Sequence, residues 1–306
     1  MNRFLVWSAI VVTTIATGSS VAQTIGVSMA SYDDQFLTSV RAAMSARARE
    51  LNVKIQFEDA HGDTSAQLDQ MQNFAAQKVR AIIVNLVDAA ATSKMTRVAV
   101  AAGIPLVYVN REPDSKTLPQ GVAYVGSQDA VAGKLEGEAI ARLLGDKGNV
   151  AIIMGGFSNN ATLVRTQGVE QVVAAKPGMK VIEKQTANWQ RVEGMNLVSN
   201  WLLAGKKIDA IASNNDEMAI GAIMALQQAG MDPKKIIIGG VDATPDGLAE
   251  IAKGNLAFSV FQDGKSQGKS AVDTAVALMR GENVPSFTWI PVQLVTKQNY
   301  QEFINR

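Results

Sequence analysis

The sequence predicts an α/β fold built from two doubly wound parallel sheets. Short apolar runs of strand length alternate along the chain with helix-length amphipathic segments. Most of these runs are apolar throughout, which is typical of parallel strands that helices cover on both faces. About ten such strands are predicted, too many for one comfortable open sheet. The length of 306 residues also favours two domains.

The order of the elements follows from their periodicity. Strands are predicted where apolar runs are bounded by polar or turn-forming residues, at 25–29, 53–57, 81–85, 104–109, 124–126, 149–154, 179–184, 208–213, 236–241 and 256–261. The first helix is indicated by Phe36, Val40, Met44 and Ala48, which recur at helical spacing. Helices are predicted at 36–51, 66–78, 131–144, 161–175, 192–203, 217–229 and 246–253.

Composition excludes several classes of function. Lys and Arg total 29 against 28 for Asp and Glu, so a basic surface for nucleic acid is not expected. The absence of cysteine excludes disulfides, zinc–thiolate sites and a cysteine nucleophile. The single histidine, His61, is predicted on a surface loop among Asp59, Gly62 and Asp63. We therefore predict no catalytic residue, no metal site and no cofactor.

The first 22 residues have the pattern of an export signal. Arg3 is followed by an uncharged apolar stretch, and Ser20-Val21-Ala22 supplies small residues at a cleavage site. A membrane anchor is the alternative, but the apolar stretch is roughly 15 residues and a spanning helix needs about 20. The prediction is cleavage after Ala22 and a soluble exported protein, periplasmic if the source is Gram-negative.

Polar and aromatic side chains follow the predicted strands, where doubly wound sheets bind their ligands. These residues lie at 31–36, 110–111, 155–160, 186–189, 214–216, 242 and 262–263, and Arg165 lies one turn into the helix that follows one of the strands. Carboxylate, amide and guanidinium groups can engage vicinal hydroxyls in pairs, and aromatic rings can stack on the C–H face of a sugar-like ring. The set suits a neutral polyhydroxylated ring.

Several of these residues also have a purely structural interpretation. Trp189 is the type of residue that more often lies in a core, as we predict for Trp201, although its neighbours are polar. Asn215 and Asp216 precede a predicted helix, so one is expected to cap it while the other contacts ligand. The structural interpretation of Asp242 is a turn residue before Thr244-Pro245, where Thr244 caps the next helix and Pro245 takes its first position.

Two motifs carry a resemblance to a known family. With the segment 25–44, Asn215-Asp216-Glu217-Met218-Ala219 and Asp242-Ala243-Thr244-Pro245-Asp246-Gly247 resemble the ribose-type periplasmic sugar-binding proteins of ABC importers. The resemblance implies a type I fold with a three-crossing hinge near 126–127, 262–263 and 291–292. It implies an N-terminal lobe of 23–126 and 263–291, a C-terminal lobe of 127–262 and 292–306, and a ligand cleft between them.

The same resemblance implies that nine of these residues bind ligand, namely Asp34, Phe36, Asn110, Arg111, Arg165, Trp189, Asn215, Asp242 and Gln262. The chain departs from the ribose pattern at Asp34, where ribose binders have Asn, and at Asn110, where they have Asp. Leu37 and Trp189 stand where they have Phe. The strings SMASYDDQFLT, VYVNREP, QTANW and VFQD look more like members that bind inositol or rhizopine, an amino-inositol. The predicted ligand is therefore myo-inositol or a related cyclitol, with ribose or another monosaccharide as the alternative.

Three functional classes are alternatives for this sequence. The resemblance implies a monomeric binding protein that delivers its ligand to an ABC permease, and it is compatible with a chemoreceptor as a second partner. A transcription regulator of the lactose-repressor type would need a helix-turn-helix headpiece of about 60 residues before the first strand. An exported carbohydrate-modifying enzyme would need a nucleophile–base pair, a metal cluster or an acid–base pair of aspartates.

Overall fold

The computed structural model describes residues 23–306, which form two six-stranded sheets. The predicted export signal lies outside the described residues. The first part of the chain contains β1 (Thr24–Met29), α1 (Gln35–Glu50), β2 (Lys54–Asp59), α2 (Thr64–Ala76), β3 (Ala81–Val84), α3 (Thr92–Ala101), β4 (Leu106–Val109) and β5 (Val122–Ser127).

The second part of the chain contains the remaining elements. They are α4 (Asp129–Leu144), β6 (Lys147–Met154), α5 (Asn160–Ala174), β7 (Gly178–Thr186), α6 (Arg191–Leu203), β8 (Ala210–Ser213), α7 (Asp216–Gln228), β9 (Ile237–Asp242), α8 (Pro245–Lys253), β10 (Phe258–Phe261), α9 (Gly264–Met279), β11 (Phe287–Ile290) and β12 (Gln293–Thr296). No helix within residues 23–306 combines the length and hydropathy that crossing a membrane requires.

The first sheet has the order β11-β5-β4-β3-β1-β2 and organises what we call the N-lobe. Every neighbouring pair in it is parallel. Alternate strand residues pack into different cores: Ile83 lies against the α1 and α9 side, whereas Ile82 lies against the α2 and α3 side. Both faces are therefore buried, which explains why these strands are apolar throughout.

The second sheet has the order β12-β10-β9-β8-β6-β7 and organises what we call the C-lobe. It repeats the order of the N-lobe, except that its last strand, β12, runs antiparallel to β10. Ile153 packs with helices α6 and α7 on one face, and Ile152 packs with α4 and α5 on the other. The prediction of two parallel-sheet α/β lobes is confirmed.

The chain passes between the two sheets three times. The first crossing joins Ser127 to Asp129, because β5 belongs to the N-lobe and α4 packs on the C-lobe strands β8, β9 and β10. The second crossing runs from Phe261 to Gly264, since α9 returns to pack on β3, β4 and β5. The third joins β11 to β12.

The seven predicted helices agree with the structure to within two residues at each end. Four elements of the structure, α3, α9, β11 and β12, do not correspond to any of the predicted ranges. Helix α9 opens with Gly, Lys, Ser and Gln, so its first turn shows little apolar periodicity. Strands β11 and β12 have four residues each, which is too short for a period to show.

Candidate functional site

A cavity lies between the lobes at the carboxyl ends of the strands and comprises about 400 Å³ of space, part of which is open to solvent. Its lining consists of Asp34, Phe36, Leu37, Asn110, Arg111, Asp129, Asn159, Ala161, Arg165, Trp189, Asn215, Asp242 and Gln262. All nine of the predicted site residues are among them, from both lobes. The structure therefore brings these residues together, and their part in binding stays a prediction.

Asp34 and Phe36 form the part of the N-lobe wall that follows β1. Asp34 caps helix α1, and its carboxylate accepts a hydrogen bond of 2.9 Å from the backbone N–H of Leu37. The positive end of the helix dipole lies beside this side chain. Phe36 is buried, so little of its ring is exposed to solvent.

Asn110 and Arg111 form the part of the wall that follows β4. Asn110 has a left-handed backbone, with φ of 64°, which asparagine tolerates better than most residues. Its carboxamide bridges two others, accepting from Asn85 at 3.3 Å and donating to Gln267 at 3.2 Å. Arg111 donates from Nη1 to the carbonyl of Leu86 at 2.8 Å. Burial lowers the pKa of Arg111, and the nearby Asp34 opposes that shift.

Arg165 is held in the C-lobe wall by a buried ion pair. Its Nη2 lies 2.6 Å from Oδ1 of Asp129, and its Nε donates to the same oxygen at 2.8 Å. Its Nη1 donates to the carbonyl of Asn214 at 2.6 Å. Both partners of the pair are 4% exposed. The position of the Arg165 guanidinium is thus fixed from behind by groups of the protein.

Asp242 lies between Arg165 and Gln262. Its Oδ1 accepts from Nε2 of Gln262 at 2.8 Å and is 4.0 Å from Nη1 of Arg165. Burial raises the pKa of Asp242 well above its ordinary value; Arg165 opposes this shift, and the carboxylates of Asp216 and Asp34 add to it. Its backbone has φ of 115°, a strained conformation for a residue other than glycine.

Trp189 lies on a loop whose shape depends on Asn215. The backbone φ is 49° at Asn188 and 68° at Trp189, and the Trp189 carbonyl accepts a bond of 3.2 Å from Nδ2 of Asn215. The indole lies against the backbone of Gly155, where an added Cβ would be 2.1 Å from Cζ2 of the ring. Trp189 is half-buried against the C-lobe core while it lines the cavity, whereas Trp201 is buried as predicted.

The expected division of roles between Asn215 and Asp216 is wrong. Asn215 alone both caps α7, accepting from Met218 N–H at 3.0 Å, and lines the cavity. Asp216 is fully buried and accepts from Ser259 Oγ at 2.6 Å and Thr244 N–H at 2.8 Å. Burial raises the pKa of Asp216 to about 7. The turn role of the segment after Asp242 is confirmed, because Thr244 caps α8 and Pro245 begins it.

Two polar lining residues were missing from the predicted set, Asp129 and Asn159. Asn159 caps α5 by accepting from the N–H of Ala161 at 3.0 Å. An asparagine between a strand and a helix is a cap signal that the sequence does contain. Among residues 23–306, no three His, Asp or Glu side chains come together in a way that could hold a metal ion. His61 is exposed on its turn, as predicted.

The comparisons with known proteins agree with this architecture. The model of the periplasmic binding protein domain matches residues 25–283. The chain belongs to the periplasmic binding protein family. This family consists of solute-binding proteins rather than enzymes, and its members share the two-lobed type I fold.

Three similar proteins are informative about this member of the periplasmic binding protein family. A provisionally named rhizopine-binding protein of Rhizobium meliloti is 47% identical over 307 residues, 99% of each chain. An ABC transporter solute-binding protein from Bacillus halodurans with bound myo-inositol is 39% identical, with a TM-score of 0.89 and coverage of 94% and 99%. The myo-inositol-binding protein of Caulobacter, also bound to myo-inositol, has a TM-score of 0.88 at 27% identity and coverage of 94% and 98%.

Proposed function

We propose that this protein captures an inositol-class cyclitol between its lobes and delivers it to an ABC transporter permease. In this proposal the chain is exported by its N-terminal signal, cleaved after Ala22, and acts as a monomer in the periplasm. The observation that carries the proposal is the composition of the cavity. It combines aromatic rings from both lobes, Phe36 and Trp189, with carboxylate, amide and guanidinium groups.

The chemistry of a cyclitol fits this lining. A cyclitol ring carries hydroxyl groups on every edge and has no anomeric centre, so it needs polar partners all round and apolar contact on its faces. The carboxylates of Asp34 and Asp242 can accept hydrogen bonds from hydroxyl groups, and the guanidiniums of Arg111 and Arg165 can donate hydrogen bonds to hydroxyl oxygens.

Binding would close the cleft by a shift between open and closed populations. Contacts outside the cavity already join the lobes in this structure. The N–H of Ala89 donates to the carbonyl of Ser158 at 2.9 Å, and Nε2 of Gln35 donates to Asp246 at 3.2 Å. A closed cleft excludes water, so a ligand that leaves one polar group unpaired loses roughly 1–3 kcal/mol.

A second candidate ligand is an amino-cyclitol, because acidic groups outnumber basic ones in the lining. Asp34, Asp129 and Asp242 face only two guanidiniums, and one of these is committed to Asp129. The carboxylate of Asp34 in the N-lobe also raises the pKa of Asp242 in the C-lobe. A ligand ammonium between these two carboxylates would relieve that repulsion.

Isothermal titration calorimetry of residues 23–306, refolded to remove any carried ligand, tests the proposal. We expect one-to-one binding of myo-inositol or of an amino-inositol such as scyllo-inosamine, and no heat from ribose. Asp242→Ala should weaken binding by well over tenfold, because a buried charge-assisted bond is lost. Binding of ribose alone would support the monosaccharide alternative. Binding of none of the three would overturn the cyclitol assignment.

A further inference from the structure

A chain of hydrogen-bonded side chains connects the two walls of the cavity through the crossings. Asn110 in the N-lobe wall donates to Oε1 of Gln267 at 3.2 Å. Gln267 donates in turn to Oε1 of Gln262 at 3.4 Å. Gln262 then donates to Oδ1 of Asp242 in the C-lobe wall at 2.8 Å. The N-lobe wall and the C-lobe wall of the cavity are thus joined by hydrogen bonds between side chains alone.

Gln267 is the member of this chain that does not line the cavity. It lies in the first turn of α9 and has no solvent exposure. Besides Gln262 in the second crossing, its Nε2 donates to Oγ of Ser127 at 3.1 Å, where the first crossing begins. The carboxamide of Gln267 therefore binds Ser127 and Gln262, at two of the three crossings, and two cavity-lining residues, Gln262 and Asn110, at the same time.

These contacts tie Gln267 to the relative position of the lobes. When two lobes rotate, the backbone of the crossing segments takes up the change in angle. Gln267 and Ser127 both belong to the N-lobe, whereas Gln262 lies in the second crossing, so such a rotation would move Gln262 relative to Gln267 and break the bond between them. A buried amide that loses a partner is costly, so the intact set of bonds favours this closed arrangement, in which the contacts of Ala89 and Gln35 join the lobes.

The direction of the bonds also fixes the orientation of the amide groups of two cavity-lining residues, Gln262 and Asn110. Because Gln267 donates to Oε1 of Gln262, the Gln262 amide must present Nε2 to Asp242. Because Gln267 accepts from Nδ2 of Asn110, the Asn110 carbonyl oxygen is turned toward Asn85. We propose that Gln267 is a positioning residue, which stabilises the closed hinge and orients the amides of Asn110 and Gln262.

The absence of cysteine allows a direct test with spin labels. Lys94 on α3 and Gln167 on α5 are exposed, one in each lobe, and both can be changed to cysteine for labelling. Electron–electron distance measurements on the otherwise full mature chain would compare the wild type with Gln267→Met. We expect the ratio of closed to open molecules to fall by roughly fivefold or more, because at least one net hydrogen bond of the closed form is lost.

Two further variants keep the test decisive. Ser127→Ala removes a single bond to Gln267 and should shift the distances in the same direction by less, even if Gln267→Met does not fold. Gln67→Met is the matched control, because Gln67 is equally buried but bonds only to Ser28, Asn85 and Val87 of the N-lobe. It should leave the distances unchanged. Distances in Gln267→Met and Ser127→Ala that match the wild type would overturn the inference.

Affinity for myo-inositol is a second readout, and only this one rests on the proposed function. Gln267→Met should weaken binding by roughly tenfold or more, through the lost hinge contacts and the freed amide of Asn110. If the wild type does not bind myo-inositol, the proposed ligand is wrong, yet the distances of the ligand-free protein still decide the role of Gln267. Unchanged affinity together with unchanged distances would refute it.

Discussion

The guanidinium of Arg165 and the carboxylate of Asp129 form an ion pair of 2.6 Å that is almost completely shielded from solvent. Asp129 begins α4 directly after the first crossing, and Arg165 lies on α5, which packs closely against α4. The approach is so close that a Cβ on Gly133 would lie 2.2 Å from the Arg165 carbonyl oxygen. The placement of a cavity-lining arginine thus depends on how the chain enters the C-lobe.

Asp129→Ala should therefore be strongly destabilising. Removing one partner leaves the Arg165 guanidinium buried and uncompensated, at a cost of about 3–5 kcal/mol. Urea unfolding of the variant would measure this loss, and myo-inositol titration would report the displaced Arg165 as weaker binding. Lys134→Ala on the same helix is the control, because its 3.7 Å pair with Glu138 is exposed and worth about 0.5 kcal/mol or less. Equal losses in the two variants would contradict this account of Arg165.

Gly155 should control the position of the Trp189 ring. An alanine Cβ there would lie 2.1 Å from Cζ2 of Trp189, so the indole must move out of its place in the cavity wall. Gly155→Ala should weaken cyclitol binding by roughly tenfold, a typical loss when a stacking face is displaced. The measurement is the dissociation constant for myo-inositol together with the shift in Trp189 fluorescence in a variant that lacks Trp201 and Trp289.

Gly156→Ala provides the comparison for that experiment. Its Cβ would be 3.4 Å from Nε1 of Trp189, which the indole can accommodate with a small movement. The affinity of this variant should stay within about threefold of the wild type, a change below roughly 1 kcal/mol. If Gly155→Ala binds as well as Gly156→Ala, the ring does not contribute to affinity in the way we propose.

Much of this cavity could be predicted from local patterns. Apolar runs alternating with helices imply strands whose carboxyl ends meet, so the residues after those strands were expected to converge. The structure places Asn110 and Asp242, which lie far apart in sequence, in one lining by this rule. The left-handed backbone of Asn110, with φ of 64°, and the strained backbone of Asp242, with φ of 115°, give no signal in the periodicity of the sequence.

The remaining features depend on tertiary contacts that no local pattern reveals. Asp129 looks like any acidic residue in a first helical turn until α5 brings Arg165 beside it. The capping rule fits both Asn215 and Asp216. Asn215 is the cap of α7, because Ser259, 43 residues away in the sequence, bonds to Asp216 and holds it in the core. The role of Gln267 is likewise hidden from local patterns, since its partners Asn110, Ser127 and Gln262 lie in three separate segments of the chain.

Gln35 should stabilise the closed arrangement of the two lobes without contacting the ligand. Its Nε2 donates to Oδ2 of Asp246 across the mouth of the cleft, and Arg191 holds the same oxygen at 2.6 Å. The contact is exposed, so Gln35→Ala should cost only about 0.5–1 kcal/mol, or a few-fold in affinity for myo-inositol. The loss should show in the dissociation rate, because the contact forms after encounter. Asp33→Ala, an exposed neighbour, is the control, and an equal effect there would argue against a specific closing contact.

Glu136 gives the protein a buried acid that should hold its proton near neutral pH. It lies on α4 with no solvent exposure, and its Oε1 accepts from the Ser213 N–H at 2.8 Å. Burial raises the pKa of Glu136 from 4.5 to about 8; the bond from Ser213 and the charge of Arg165 oppose this shift, and Asp216 adds to it. The protein therefore binds this proton more tightly when it is folded than when it is unfolded.

This difference fixes the sign of a pH effect on stability. Below pH 4.5 the carboxyl is protonated in both states, so its contribution to the free energy of unfolding is fully present. As the pH rises toward about 8, the unfolded chain releases the proton while the folded protein keeps it, and that contribution is lost. Glu136→Gln cannot titrate, so its stability relative to the wild type should improve between about pH 5 and about pH 8, by on the order of a few kcal/mol. Urea unfolding of both proteins at the two pH values would measure the change, and a difference independent of pH would show that Glu136 is ionised in the folded protein.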